Sequence, residues 1–297
     1  MGKKAVIGIT LGDPAGIGPE IVEAALNGGQ LNADFDYRIV GEALKCRLGE
    51  PTEGTARNAF DALEEAARLA LRGEISAVVT GPIHKARMQQ IGFPFPGQTE
   101  FFAARCGVEN FAMLLTGGKL TVALVTAHMP LSQVPVSLCS AEIVRVGKLL
   151  EHFTRMRLAN PPRIGVAGLN PHAGESGVLG SEDEEIIAPA VVALQEQFAG
   201  RAAFEGPISP DTVFRRAVLG EFDAVLCMYH DQGLIPLKLH AFETGVNVTL
   251  GLPFFRTSPD HGTAFEIAGH GLAQPDSMVA AINLAAELTS PNLIQSA

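Results

Sequence analysis

Short apolar runs, bounded by glycine and proline, alternate with amphipathic stretches along most of this chain, and no other feature restricts its fold as strongly. Residues 4–11, Tyr37–Val40, Ile75–Thr80, Leu120–Ala127, Arg163–Leu169 and Phe222–Met228 have the length and composition of buried strands. Between them, apolar residues recur at helical spacing. The pattern predicts helices after Gly18, over Thr55–Leu71 with Phe60, Leu63, Ala67 and Leu71 on one face, around Glu100–Cys106, over Ala141–Phe153 and over 182–198. Strands separated by helices in this way imply an α/β fold with a mostly parallel sheet and helices on both faces. With 297 residues the chain can form one large domain or two moderate ones.

Composition narrows the partners. The net charge is −10, and no basic run is longer than the Lys3-Lys4 pair, so the electrostatic footprint of a nucleic-acid binder is missing. An anionic ligand would need a local cation, and Lys85, Lys238 and Arg256 each lie inside a motif. The four cysteines, Cys46, Cys106, Cys139 and Cys227, form no CxxC pair and no disulfide framework, which predicts buried thiols in a reducing compartment. The first apolar run is too short for a signal peptide or a membrane span, so the expected location is cytoplasmic, with no membrane partner.

Two local patterns point to chemistry. The run from Gly12 to Glu20, GDPAGIGPE, places Pro19 and Glu20 in a first helical turn, but its glycines do not have the G-x-G-x-x-G spacing of a Rossmann unit. A nicotinamide cofactor would have to bind differently. The second pattern is that His128, His172 and His230 each follow a separate apolar strand. In a parallel sheet the three lie along the carboxyl edge, where ligands bind. Three imidazoles there, with Asp211 and Asp231 near in sequence, suit a divalent metal with an open position. Nitrogen donors favour zinc, cobalt or iron-like ions over magnesium. A metal-dependent hydrolase fits the same residues. His152 and His270 read as surface groups, and Asp211 reads equally as the N-cap of the following helix.

The motifs GDPAGIGPE, TGPIHK, GQTEFF, TAHMPL, LNPHAGE, SPDTVF, MYHDQG, GVNVTLGLPFFRTS and DHGTA, in this order, resemble the 4-hydroxythreonine-4-phosphate dehydrogenase family of vitamin B6 biosynthesis. The resemblance implies a fold of the isocitrate and isopropylmalate dehydrogenase type: two α/β/α domains, a cleft between them and no Rossmann fingerprint. It divides the chain into a first, cofactor-side domain, residues 1–98 with 245–297, and a second, residues 99–244, that carries the metal ligands and the dimer interface. It implies a homodimer with shared active sites, a small phosphorylated hydroxy acid as substrate, NAD or NADP, and a divalent metal (zinc, cobalt or magnesium). Carried over by motif, His128, His172 and His230 are the expected metal ligands, the first two from one subunit and the third from its partner. Gln98, Thr99, Lys238, Asn247 and Arg256 are the expected substrate contacts. His261 and Gly262 are expected at the adenosine of the cofactor. Asp211, Asp231 and Lys238 are the candidates for acid/base work. Two departures stand out: Gln98 replaces the family's histidine, and the connection around Cys46–Thr55 is short. Sister enzymes acting on D-threonate or D-erythronate 4-phosphate share most of these motifs.

Overall fold

The computed structural model describes residues 4–290. The chain divides into two compact units, the first running to Glu109 and resuming at Val246, the second spanning Asn110–Gly245. The expected boundary at residue 98 moves later because the helix Gln98–Cys106 belongs to the first unit. It buries Phe101 and Phe102 beside Leu63, Ala66 and Phe93.

The ten strands among the described residues are shared equally. In unit 1 they are β1 (Val6–Thr10), β2 (Asp36–Val40) and β3 (Ala77–Thr80), with two more described below; in unit 2 they are β4 (Ala112–Gly117), β5 (Leu120–Leu124), β6 (Arg163–Ala167), β7 (Ala203–Ile208) and β8 (Ala224–Cys227). The last two strands, β9 (Val246–Leu250) and β10 (Phe255–Pro259), return to unit 1. Its order is β2-β1-β3-β10-β9, parallel except where β9 meets β10. Unit 2 repeats the pattern as β4-β5-β8-β6-β7, with β4 antiparallel to β5.

Local sequence explains the helices that frame these sheets. Pro19 occupies the first turn of Gly18–Asn27, where its missing N–H costs nothing. The helix Glu53–Leu71 opens with a reciprocal cap between Thr52 and Thr55. Its buried stripe is made largely of Ala59, Ala62, Leu63, Ala66 and Ala70, so Leu71 falls outside it and is exposed. In the helix His230–Ala241, Gly233 lies against the Cys227 thiol and the Leu124 side chain, where an added Cβ would be 3.0 and 3.1 Å from them. That glycine lets the helix approach the strands closely.

Several expectations change. The helix expected over 182–198 does not open with a capping box, although Ser181 and Glu184 have the spacing for one. Asp183–Ile187 is instead a π-helical turn without a side-chain cap, followed by the helix Ala188–Gln197. Asp211 is not an N-cap, because Ser209 holds that place and donates its hydroxyl to the Asp211 carboxylate at 2.5 Å. Of the cysteines Cys227 alone is buried, within the core of unit 2; Cys139 is exposed and the other two are half-buried.

Unit 1 is held by an aromatic cluster in which Phe101 lies 5.0–6.0 Å from the rings of Phe60, Phe93, Phe95 and Phe102. Phe101 has no exposed surface. Phe101→Ala is therefore expected to cost about 3–5 kcal/mol, read from urea unfolding. A loss below about 1 kcal/mol would show that the cluster is not a stability centre.

Candidate active site

Strands β5, β8 and β6 are parallel neighbours, so their carboxyl ends share one edge of unit 2. His128 follows β5, His172 follows β6, and His230 begins the helix after β8. The rings of His128 and His230 stand 5.7 Å apart. A metal–nitrogen distance of about 2.1 Å places two imidazoles on one ion with ring centres roughly 5–6 Å apart, so this pair fits a shared ion. His230 Nδ1 lies 2.6 Å from the Asp231 carboxylate, which would leave Nε2 as the ring nitrogen for a metal. Both histidines line a cavity of about 670 Å³ with Met129, Leu131, Tyr229 and Ile235.

His172 does not join them. Among the described residues no group of three or more His, Cys, Asp or Glu could hold a metal ion. His172 lines a separate cavity with Glu175, Ser176, Asp183 and Glu184. The reason is local: His172, Ala173, Glu175 and Ser176 all adopt left-handed backbone conformations, with φ between 44° and 55°. This winds the loop back toward the π-helical turn, onto the buried Asp183 carboxylate, which accepts the Leu169 and Asn170 N–H groups at 2.8 and 3.1 Å and the Asn170 side-chain amide at 3.0 Å. Within one chain, therefore, His128 and His230 stand together and His172 stands apart from them.

In unit 1, Arg256 sits on β10 between β3 and β9 and is only 3% exposed. Its guanidinium donates to the Thr80 hydroxyl at 2.6 and 3.2 Å, to the Gln98 carbonyl oxygen at 3.0 Å and to the Thr249 hydroxyl at 3.4 Å. Burial lowers its pKa to about 10, partly offset by the nearby Glu100 carboxylate, so it remains a cation at neutral pH. Gln98 is fixed at both ends, since its amide N–H donates to the Gly81 carbonyl at 3.1 Å. Thr99 meets Thr249 at 3.3 Å, and the Asn247 side-chain oxygen is buried with no partner. Four of the five expected substrate contacts thus lie in this unit. Lys238 lies on the unit 2 helix, over the Phe242 ring at 5.9 Å. His261 presents a buried Nε2 without a partner, an orphan donor or acceptor that suits a polar ligand such as a nucleotide cofactor.

A family model described as pyridoxal phosphate biosynthetic protein PdxA matches residues 20–285. The chain belongs to this family. It is similar to 4-hydroxythreonine-4-phosphate dehydrogenase from Desulfosudis oleivorans, at 42% identity with 96% of each chain covered. That alignment spans 327 positions, more than the 297 residues present here, so the relative carries segments that this PdxA-family chain lacks. A solved structure of 4-hydroxythreonine-4-phosphate dehydrogenase from Klebsiella pneumoniae matches with a TM-score of 0.83 and 36% identity, over 97% of this chain and 100% of that one. A β-decarboxylating dehydrogenase from Thermococcus kodakarensis, 17% identical with a TM-score of 0.55, shares the fold; 98% of this chain and 86% of that one are covered.

Sequence reading of this PdxA-family chain passed over Thr80, Thr249, Asp183 and Gln232. Polar side chains at inward positions of buried strands would have flagged the two threonines, and Gln232 stands two residues after His230. If the Arg256 cluster is an anion site, inorganic phosphate should stabilise the protein, by about 2.7 kcal/mol at roughly a hundred times its Kd. Arg256→Lys, which keeps the charge but loses the planar fork, should need about tenfold more phosphate for the same shift in thermal unfolding. Superimposable phosphate curves would remove Arg256 from the site.

Proposed function

We propose that this chain is a metal- and nicotinamide-dependent dehydrogenase that oxidises 4-phosphooxy-L-threonine in the cytoplasm. The observation that carries the reading is the family match, supported by relatives of this name near 40% identity over almost the full length. The secondary alcohol loses a hydride to NAD or NADP and a proton to the protein or solvent, giving 2-amino-3-oxo-4-phosphooxybutanoate. This 3-oxo acid loses CO₂ to give 3-amino-2-oxopropyl phosphate. A divalent ion, when bound, supplies Lewis acidity toward the substrate oxygen in both steps. His128, His172 and His230 would hold it, and Asp231 would orient the His230 ring. Arg256, Thr99, Gln98 and Asn247 would hold the substrate's anionic and polar groups by charge-assisted and neutral hydrogen bonds. Lys238 and Asp211 are assigned to moving the hydroxyl proton, and His261 with Gly262 to the cofactor. Family membership leaves the hydrolase reading without support.

One observation favours a second substrate. Gln98 is a neutral amide held between Arg256 and Gly81, where the resemblance implies an imidazole. A D-threonate or D-erythronate 4-phosphate dehydrogenase is therefore the alternative. Nicotinamide absorbance across a panel of 4-phosphorylated hydroxy acids, with both cofactors and with zinc, cobalt or magnesium, separates the two. The expected result is preferred turnover of 4-phosphooxy-L-threonine that disappears on chelation and returns with metal, while circular dichroism stays unchanged. Preference for a sister acid would transfer the assignment, and full activity without metal would end the Lewis-acid role.

The half-complete metal set also supports a homodimer with shared sites. Leu131 and Ile235 line the His128–His230 cavity and are exposed, and the exposed Leu239 and Phe242 follow Ile235 at helical spacing on the same helix face. A second copy would cover this apolar surface and complete the site. His172→Ala and His230→Ala should each be nearly inactive alone and recover about a quarter of wild-type activity when refolded together, since half the dimers are mixed and half their sites are intact. Crossing His128→Ala with His230→Ala tells which chain gives what. Recovery there assigns His230 to the partner, as the resemblance implies; its absence assigns both to one chain, as their 5.7 Å spacing favours. Failure of the first cross, with mixed dimers confirmed by mass, would reject the shared site.

A further inference from the structure

Strand pairing fixes β5, β8 and β6 relative to one another, but it stops before any of the three histidines is reached. Beyond the strand ends the backbone of each loop needs another restraint. The need is greatest at His172, whose loop has four non-glycine residues in left-handed conformations. Such conformations are unfavourable for residues with a Cβ and persist only where the surroundings hold them.

The restraint is a buried polar relay. Gln232, 6% exposed, accepts the Met228 N–H at 2.7 Å and donates to the Gly168 carbonyl at 2.6 Å. Met228 lies two residues before His230, and Gly168 four residues before His172. The Met228 carbonyl in turn accepts both the backbone N–H and the hydroxyl of Thr126, at 3.1 and 2.8 Å, two residues before His128. Past Gly168, the wholly buried Asp183 takes over at Leu169 and Asn170. Each of the three loops is therefore tied to the next by side-chain hydrogen bonds made just beyond its strand. Gln232 is the only member of this relay that bridges the β8 and β6 loops through a single side chain. Its amide suits the task because it offers an acceptor and a donor from one planar group.

We propose that Gln232 is a positioning residue for the metal site: it locks the loop of His172 to the turn of His230, so that neither imidazole is placed independently. This inference rests on the metal reading given above. Removing groups that orient metal ligands weakens metal binding by about 10- to 100-fold. Gln232→Leu removes both hydrogen bonds. Gln232→Glu keeps the acceptor for Met228 but sets a carboxylate oxygen against the Gly168 carbonyl, so it isolates the tie to the His172 loop.

Calorimetric titration of the metal-free dimer with Zn²⁺ and with Co²⁺ tests the proposal, alongside thermal unfolding of the same samples. Both variants are expected to bind the ions about 10- to 100-fold more weakly than wild type while remaining folded at the titration temperature. If Gln232→Leu does not fold, Gln232→Glu is judged by the same criterion. Variants that lose thermal stability yet bind metal within about twofold of wild type would show a purely structural role and overturn the inference alone. A wild-type protein that binds neither ion would overturn the metal reading and this inference with it.

Discussion

Parallel strands that lie side by side finish at the same edge, and the candidate chemistry of unit 2 depends on that constraint. The order β5-β8-β6 brings to one edge three loops that are far apart in sequence. The strands themselves carry the core residues Val122, Leu124, Val225 and Cys227, so the hydrophobic effect sets their positions whether or not a metal is present. What burial cannot do is place polar groups beyond the last strand residue. That work passes to buried hydrogen bonds, which are directional and costly to leave half-made.

Unit 1 solves a comparable problem for a single cation. A guanidinium buried in a sheet costs stability, and its lowered pKa is the sign of that cost. The folded state holds this proton less tightly than the unfolded chain, so the penalty is fully present at neutral pH and is relieved only as pH rises through about 10 toward the ordinary arginine range. Two hydroxyls and one amide oxygen compensate part of it. A residue that earns no stability from its position is readily understood if it is held there for a ligand, which is the sense in which the Arg256 cluster resembles a site more than a scaffold.

The strand-helix alternation, the shared edge of the three histidines and the placement of Arg256 inside a motif were legible because each follows from periodicity or from residue type; the burial of Arg256 was not. The strands β4, β7, β9 and β10 were not assigned from sequence. AMLLTG turns straight into LTVAL through Gly118 and Lys119, so only the second of two antiparallel strands was assigned, and β10 spells FRTSP, with buried Arg, Thr and Ser in place of an apolar run. The sequence could not show that His172 stands apart from His128 and His230, because that depends on four left-handed residues which none of the local rules would assign to His, Ala, Glu or Ser. Nor could it show that Asp183 is buried. An acidic cluster before an amphipathic stretch reads as a solvated first turn, and only the Leu169 and Asn170 amides reveal why one of those carboxylates is inside.

These failures of local reasoning are not scattered. The left-handed loop, the buried Asp183, the π-helical turn and the bridging Gln232 adjoin one another in unit 2, and the buried cation with its polar partners forms the corresponding cluster in unit 1. A chain that otherwise obeys propensity and patterning and breaks both in two compact places is spending stability there, and function is the expected reason. The apolar helix face carrying Ile235, Leu239 and Phe242 extends the argument, because exposed side chains of this size are a third departure from pattern, and Ile235 itself lines the cavity of His128 and His230. On the proposed metal reading, a surface that would gain by being covered and a pair of imidazoles that needs a third donor call for the same event, the association of two copies.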